Sequence, residues 1–184
     1  MVDVTHRAVF LDRDGVLIWT AVRGGKPYAI TETEPLVVLD GVSEACARLK
    51  AVGYLLVLVT NQPDIARGET SLDFVRQTNA HLVAALGLDD ARVCCHQDSD
   101  RCRCRKPNPG LLIDAASALS IDLERSVMVG DRWRDIEAGR NAHCKTVLIE
   151  RGYEERAAEA PDHVADSLSA AVPWIVSLVE TQRT

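Results

Sequence analysis

The segment AVFLDRDG, residues 8–15, joins a strand-sized apolar run to a pair of aspartates. Residues 8–11 contain no polar side chain, and residues 54–59 (YLLVLV) form a second run of the same kind. A half-exposed strand would alternate polar and apolar residues, whereas the strands of a parallel sheet are buried on both faces. The two runs therefore predict a parallel sheet that is covered on both sides.

Amphipathic stretches separate the apolar runs and predict the helices. Apolar side chains recur at helical spacing in residues 40–52, and a capping box at 70–73 can open a helix that ends at Gly87. Strand and helix alternate along the chain, which is typical of βαβ units and predicts an α/β fold with helices on both faces of the sheet. The further predicted elements are strands at 92–95, 126–129 and 146–149 and helices at 109–119, 135–142 and 167–180.

The size and charge of the chain restrict its function. A chain of 184 residues is long enough for one core, so we predict a single domain over residues 1–184. A net charge of −6 argues against a broad basic surface for nucleic acid, and no apolar run approaches the roughly 20 residues of a membrane helix. The N-terminal residues show no secretion signal. We expect a cytoplasmic monomer that binds a small molecule and has no nucleic-acid or membrane partner.

Polar signatures follow three of the predicted strands, and a fourth begins a predicted helix. The carboxyl ends of parallel strands lie on one edge of the sheet, where ligands bind, so we expect these residues to converge. Each signature alone could be a turn, a polar cap or a helix N-cap, but their occurrence together favours a site. The residues are Asp12 and Asp14, Thr60 and Asn61, Arg105 and Lys106, and Asp131 with Asp135.

These residue types indicate phosphoryl chemistry assisted by a metal. Asp12 and Asp14 are two positions apart, so we expect their side chains on one side, with Arg13 pointing away. Together with Asp131 they make three carboxylates, which repel one another unless a cation lies among them, and hard oxygen ligands suit Mg²⁺. Lys106 supplies positive charge for a phosphoryl group, and a carboxylate can itself be the nucleophile.

Four of the six cysteines lie within residues 94–104 and predict a zinc site. The pattern C-x-H-x5-C-x-C offers three thiolates and one imidazole, which is a ligand set for a closed tetrahedral Zn²⁺ centre with a structural role. Such a centre would order the loop that leads to Arg105 and Lys106. The alternatives are a redox pair or burial without a metal. The predicted ligands are Cys94, His96, Cys102 and Cys104.

The motifs DRDGV, VTN, RKP and VGD-x3-D resemble the four motifs of the haloacid dehalogenase (HAD) superfamily of phosphohydrolases. VTNQ with IARG, the Cys/His loop, CRKPNPG and MVGD resemble one subgroup, the D-glycero-D-manno-heptose 1,7-bisphosphate phosphatases and the related histidinol-phosphate phosphatases. The resemblance implies a Rossmann-like fold with a minimal cap made of loops. It also implies a Mg²⁺-dependent phosphatase that removes the C7 phosphate of a heptose bisphosphate through an aspartyl-phosphate.

The resemblance also implies roles for individual residues. Asp12 would be the nucleophile and Asp14 the general acid and base, while Thr60 and Lys106 would steady the transferring phosphoryl group. The implied Mg²⁺ ligands are Asp12, the backbone carbonyl of Asp14 and Asp131, and the implied substrate contacts are Asn61, Arg105 and Arg132. The chain departs from the subgroup where Pro63 and Asp64 replace the usual Ser-Gly, at the predicted substrate mouth.

The irregular stretch at residues 20–35 is our candidate substrate flap. The flap contains Arg23, Lys26 and Tyr28, and Gly24 and Gly25 would make it flexible. Its basic residues, Arg23 and Lys26, could meet a second phosphate, and the alternative is that they are solvated loop charges. Three alternatives stay open for the function. They are histidinol phosphate or another small metabolite as substrate, a polynucleotide 3′-phosphate, which the acidic charge disfavours, and a non-catalytic, zinc-bearing binding module.

Overall fold

A six-stranded parallel sheet runs through the computed structural model, which describes residues 5–181. The strands are β1 (Arg7–Leu11), β2 (Ala21–Arg23), β3 (Lys26–Tyr28), β4 (Tyr54–Asn61), β5 (Asp90–Cys94), β6 (Val127–Gly130), β7 (Lys145–Ile149) and β8 (His163–Ala165). The helices are α1 (Val42–Ala51), α2 (Asp64–Arg67), α3 (Leu72–Leu86), α4 (Gly110–Leu119), α5 (Trp133–Asn141) and α6 (Leu168–Thr181). Residues 1–4 and 182–184, at the two ends of the predicted domain, lie outside the described residues.

The predicted α/β fold is confirmed. The six strands follow the order β5-β4-β1-β6-β7-β8, and every neighbouring pair is parallel. Alternate residues of β1 enter two different cores: Val9 and Leu11 pack beneath α1, α3 and α6, whereas Ala8 and Phe10 pack beneath α4. Both faces of the strand are therefore buried, which is why residues 8–11 include no polar position.

The register of the central strands determines where the polar signatures emerge. Leu11 of β1 lies opposite Leu58 of β4 and Val129 of β6. The backbone amide of Asp12 continues this pairing by donating to the carbonyl of Val129 at 3.0 Å. The residues that follow the three strands therefore leave the sheet together at its carboxyl edge.

The stretch at 20–35 contains a β-hairpin, so the prediction of an irregular segment is wrong. Strands β2 and β3 pair antiparallel, with Arg23 opposite Lys26 and a two-residue turn between them. The turn residues Gly24 and Gly25 have φ values of 55° and 71°, which tight hairpin turns require and which glycine adopts without strain. Residues 20–35 therefore contain an ordered strand pair as well as loops.

The N-cap of helix α3 lies one residue after Thr70, where the predicted capping box places it. Ser71 is the N-cap, and its hydroxyl accepts a hydrogen bond from the amide of Phe74 at 3.1 Å. The hydroxyl of Thr70 instead donates to Glu32 at 3.1 Å. Gly87 ends the helix as predicted, with φ at 64°. Across residues 5–181, the helices are all too short or too polar to span a bilayer.

Candidate active site

Lys106 lies at the centre of the site, where only 2% of the residue is exposed. Its Nζ lies 2.7 Å from Asp12 Oδ1 and 2.6 Å from Asp135 Oδ1, and it donates to the carbonyl of Val59 at 2.8 Å. Burial alone would lower the pKa of Lys106, but the two carboxylates outweigh burial and raise the pKa above its usual value. The ammonium group is therefore held charged against Asp12.

Asp12, Asp131 and Asp135 form a buried carboxylate cluster in which one oxygen from each lies within 4.8 Å of the others. Burial first, and then the charges of Asp12 and Asp135, raise the pKa of Asp131 well above its usual value. Burial raises the pKa of Asp135 to about 6. Oδ1 of Asp131 is buried and has no hydrogen-bond partner among residues 5–181. Three carboxylates beside one amine, with an unpartnered oxygen, fit a divalent cation.

The carboxylate of Asp14 is held at the edge of this cluster. Nη2 of Arg13 lies 3.0 Å from Asp14 Oδ2, so the prediction that Arg13 points away is wrong for its guanidinium group. Gln62 Nε2 donates to the same oxygen at 2.8 Å and to the hydroxyl of Thr60 at 3.0 Å. Gln62 therefore links the two predicted catalytic residues Asp14 and Thr60.

Asn61 holds the backbone of Lys106 through both ends of its side-chain amide. Its Nδ2 donates to the carbonyl of Lys106 at 3.0 Å, and its Oδ1 accepts from the amide of Lys106 at 3.1 Å. Asn61 also lines the cavity above the carboxylates. In the structure, then, Asn61 positions the loop that carries the buried amine.

A cavity of about 190 Å³ opens above the carboxylates. Tyr28, from the hairpin, lines it, while Arg23 stacks on the Tyr28 ring and pairs with Glu34. Arg132 also lines the cavity and forms an ion pair with Glu155. The remaining lining residues include Asp12, Asp14, Thr60, Lys106, Asp131 and Asp135, together with Pro63, Asp64, Arg67 and Arg134.

Arg105 is the predicted substrate contact that the structure places outside this cavity. Its Nε donates to Asp98 Oδ1 at 2.7 Å, and Arg134 approaches the same carboxylate at 3.2 Å. These three side chains line a separate surface pocket beside the cysteine cluster. The structure therefore brings Arg132 to the cavity directly and Arg105 only to its neighbourhood.

The four predicted zinc ligands meet at the end of β5. Cys104 Sγ lies 3.3 Å from both Cys94 Sγ and His96 Nδ1, and 3.4 Å from Cys102 Sγ. These separations are too long for S–S bonds of about 2.05 Å, and the four ligand atoms lie within 4.8 Å of one another. Because Cys94 pairs with Asn61 in the β4–β5 register, the cluster lies next to the polar signature at the end of β4.

Several known proteins have sequences similar to that of this chain. The model of the HAD-hydrolase-like family matches residues 103–171. A D-glycero-D-manno-heptose-1,7-bisphosphate 7-phosphatase from Thermosynechococcus vestitus is 36% identical, over 91% of this chain and 94% of the relative. A D-glycero-beta-D-manno-heptose-1,7-bisphosphate 7-phosphatase from Pasteurella multocida is 41% identical, over 79% of this chain and 83% of the relative. The chain belongs to the family of HAD-like heptose-bisphosphate phosphatases.

A solved member of this phosphatase family has the same fold. The D,D-heptose 1,7-bisphosphate phosphatase from B. bronchiseptica, in complex with magnesium and phosphate, superposes with a TM-score of 0.76 at 28% identity. The match covers 93% of this chain and 98% of that protein. The predicted superfamily and its Rossmann-like architecture are thereby confirmed.

Asp135 and Tyr153, like Gln62, contact this candidate site without a role among the sequence-based predictions. Asp135 appears there only beside Asp131 in the VGD-x3-D motif, yet it is the second carboxylate that holds Lys106. Tyr153, in the segment after β7, donates its hydroxyl to Asp131 Oδ2 at 2.8 Å. The second aspartate of the motif is a usable signal for Asp135, whereas no local pattern indicates Tyr153.

Proposed function

We propose that this protein is a Mg²⁺-dependent phosphatase that removes the C7 phosphate of D-glycero-D-manno-heptose 1,7-bisphosphate. The observation that carries the proposal is the buried amine of Lys106, placed between Asp12 and Asp135 at the base of the cavity. Such an amine, beside a carboxylate nucleophile, supplies charge where a phosphoryl group needs it. The relatives' names, which specify the 7-phosphate, favour this substrate over histidinol phosphate.

Asp12 is the proposed nucleophile and Asp14 the proposed acid and base. A carboxylate oxygen of Asp12 bonds to phosphorus while the bond from phosphorus to the sugar oxygen breaks, and Asp14 donates a proton to that oxygen. Asp14 then takes a proton from water, the water oxygen bonds to phosphorus, and the aspartyl–phosphate bond breaks. Lys106 and Thr60 donate hydrogen bonds to the phosphoryl oxygens. Gln62 orients both Asp14 and Thr60 for these steps.

The proposed Mg²⁺ ligands are Asp12, Asp131 and the backbone carbonyl of Asp14. Asp135 has a different task, because its Oδ1 contacts Lys106 and its Oδ2 accepts from the amide of Arg132 at 3.1 Å. When bound, Mg²⁺ would neutralise the carboxylates and the charge on the phosphoryl oxygens. The protein supplies the arrangement that keeps Lys106 in place against Asp12.

Arg132 and Asn61 remain our proposed substrate contacts inside the cavity. Arg132 is already paired with Glu155, so a substrate phosphate would share or replace that partner. Arg105 would act from outside the cavity lining, through the ion pair with Asp98 that it shares with Arg134. Arg105 was predicted as a substrate contact, and we propose that it instead contributes to the shape of the Lys106 loop.

We propose that Cys94, His96, Cys102 and Cys104 hold a structural Zn²⁺ ion. The mutual approach of four ligand atoms favours this over a Cys102–Cys104 redox pair, which would use only two of them. The described cysteines are all free thiols, which suits a reducing compartment such as the cytoplasm. A monomeric state stays a prediction.

Phosphate release from a panel of phosphorylated metabolites tests the activity. We expect the highest kcat/KM for heptose 1,7-bisphosphate, assayed as both anomers, with histidinol phosphate and a 3′-phosphorylated oligonucleotide for comparison. Asp12→Asn should abolish turnover, whereas Asp114→Asn, which removes a surface partner of Arg103, should not. If no phosphomonoester is hydrolysed with Mg²⁺ present, the binding-module alternative holds instead.

Elemental analysis of purified protein tests the zinc proposal separately. We expect one zinc ion per chain, lost when the protein is treated with a strong chelator. A protein that retains full activity and full thermal stability without zinc would contradict the structural role.

A further inference from the structure

Three segments meet behind Asp131, on the side away from the main cavity. The amide nitrogen of Glu154 donates to the carbonyl of Gly25 at 2.8 Å, which ties the segment after β7 to the hairpin. Nε of Arg151 donates to the carbonyl of Gly15 at 2.9 Å. The hydroxyl of Tyr153 donates to Asp131 Oδ2 at 2.8 Å. The DRDG turn and the end of β6 are thus joined through residues 151–154.

Asp131 and Tyr153 lie very close to the backbone of Gly15. Its φ is +79°, and a Cβ atom at this position would lie 1.9 Å from Asp131 Oδ2 and 2.9 Å from the hydroxyl of Tyr153. Only a residue without a side chain fits there. The Asp131 carboxylate and the Tyr153 phenol therefore occupy the space directly against the backbone that carries Asp12 and Asp14.

The hydrogen bond from Tyr153 distinguishes the two oxygens of Asp131. Oδ2 accepts from the phenol, while Oδ1 is buried and has no partner among the described residues. A phenol donates this hydrogen bond without adding charge to the site. One oxygen of the carboxylate is held and the other is left for a ligand.

We propose that Tyr153 is a positioning residue for the divalent cation: its hydrogen bond orients the Asp131 carboxylate so that Oδ1 is available to Mg²⁺. Tyr153 lines two smaller pockets but not the cavity above the carboxylates, so it acts through Asp131 and not on the substrate. Hydrogen-bond partners of metal ligands commonly change metal affinity about 10–100-fold when removed.

This inference deepens the proposed function, and metal binding without substrate tests it independently. Titration of the metal-free protein with Mn²⁺, followed by electron paramagnetic resonance, gives the dissociation constant without any turnover. We expect Tyr153→Phe to weaken Mn²⁺ binding about tenfold. The matched control is Tyr54→Phe, which removes a buried phenol hydroxyl that donates to the carbonyl of Ile175 at 3.3 Å, far from the carboxylates.

A second measurement covers the case in which Tyr153→Phe is less stable. The rise in Tm caused by Mg²⁺ is measured against each variant's own metal-free state, so a stability difference cancels. We expect a smaller rise for Tyr153→Phe than for Tyr54→Phe at equal Mg²⁺ concentration. In the activity assay, the Mg²⁺ concentration for half-maximal rate should increase while the sugar KM at saturating Mg²⁺ stays unchanged.

Unchanged Mn²⁺ affinity in Tyr153→Phe would overturn the positioning role, and so would an equal loss in both variants. Failure of the proposed function has a different signature. A protein that hydrolyses no phosphomonoester but binds Mn²⁺ through a Tyr153-dependent site would refute the phosphatase proposal and leave this inference intact.

Discussion

Asp131→Asn should stabilise the metal-free protein while abolishing its function. The three carboxylates of the cluster have oxygens within 4.8 Å of one another, and Lys106 offsets only one of the three charges. At an effective dielectric constant of about 20, two unit charges 4.8 Å apart repel by about 3.5 kcal/mol. Proton uptake by Asp131 relieves part of this repulsion, so we expect a gain of about 1–3 kcal/mol at neutral pH.

The gain is measured by thermal unfolding in EDTA at several pH values. For a chain of 184 residues, it corresponds to a Tm higher by about 3–8 °C. The pKa of Asp131 is raised in the folded protein, so its stabilising contribution is present at low pH and is lost as the pH rises through that value. The advantage of Asp131→Asn should therefore increase as the pH rises.

Asp162→Asn is the matched control, with the opposite sign. Burial would raise the pKa of Asp162, but contacts with Lys145 and Thr146 outweigh it and lower the pKa. A lowered pKa gives stability that is present above the usual value and is lost as the pH falls, so removing this charge should destabilise the protein at neutral pH. Because Asp162 is exposed to solvent, the loss should be below about 1 kcal/mol. A lower Tm for Asp131→Asn in EDTA at pH 8 would refute the electrostatic account of the cluster.

Three further predictions concern the groups around this cluster. Asn61→Ala removes both hydrogen bonds to the Lys106 backbone and should lower kcat about 10–100-fold; a rise in KM alone would show that Asn61 acts only as a substrate contact and does not position Lys106. Gly15→Ala places a Cβ 1.9 Å from Asp131 Oδ2 and should abolish activity and weaken Mn²⁺ binding, and normal Mn²⁺ affinity would contradict this. Cys102→Ser should lower zinc content and Tm and reduce kcat with the carboxylates untouched, and normal turnover without zinc would reject that loop-ordering role.

The sheet could be predicted from sequence because both of its faces are buried. β1, β4 and β6 are short apolar runs bounded by polar residues, and such runs are typical of strands that are covered on both sides. β8 lacks this signal, because it has three residues, begins with His163 and leaves Val164 half exposed at the sheet edge. An edge strand needs only one neighbour, so its sequence carries little of the pattern.

Unlike β8, the β2–β3 hairpin has a recognisable turn pattern in the sequence. Gly24-Gly25 between short extended segments is a pattern typical of a two-residue hairpin turn. We predicted only flexibility from these glycines. Positive φ at both positions shows instead that they are needed for a defined turn geometry.

Within the site, residues that lie at strand ends could be predicted and residues that act from neighbouring loops could not. Asp12, Thr60 and Asp131 converge because parallel strands share an edge, which is a property of the topology. The contact of Tyr153 with Asp131 depends on how the segment after β7 folds back, and no spacing in the sequence encodes that. Gln62 is intermediate, since it follows β4 directly but acts through two hydrogen bonds that only the fold creates.

The charge balance of the cluster accounts for the importance of these loop residues. Asp12, Asp131 and Asp135 contribute three negative charges and Lys106 one positive charge, so the ionised cluster carries two uncompensated charges, which a divalent cation would neutralise. Without the cation, burial and repulsion favour protonation of Asp131, and a protonated carboxyl is a poor metal ligand. A neutral donor such as Tyr153 orients Asp131 without changing the net charge of the cluster. A lysine or arginine at the same place would supply positive charge and compete with the metal. The uncharged phenol is therefore the type of side chain that this position requires.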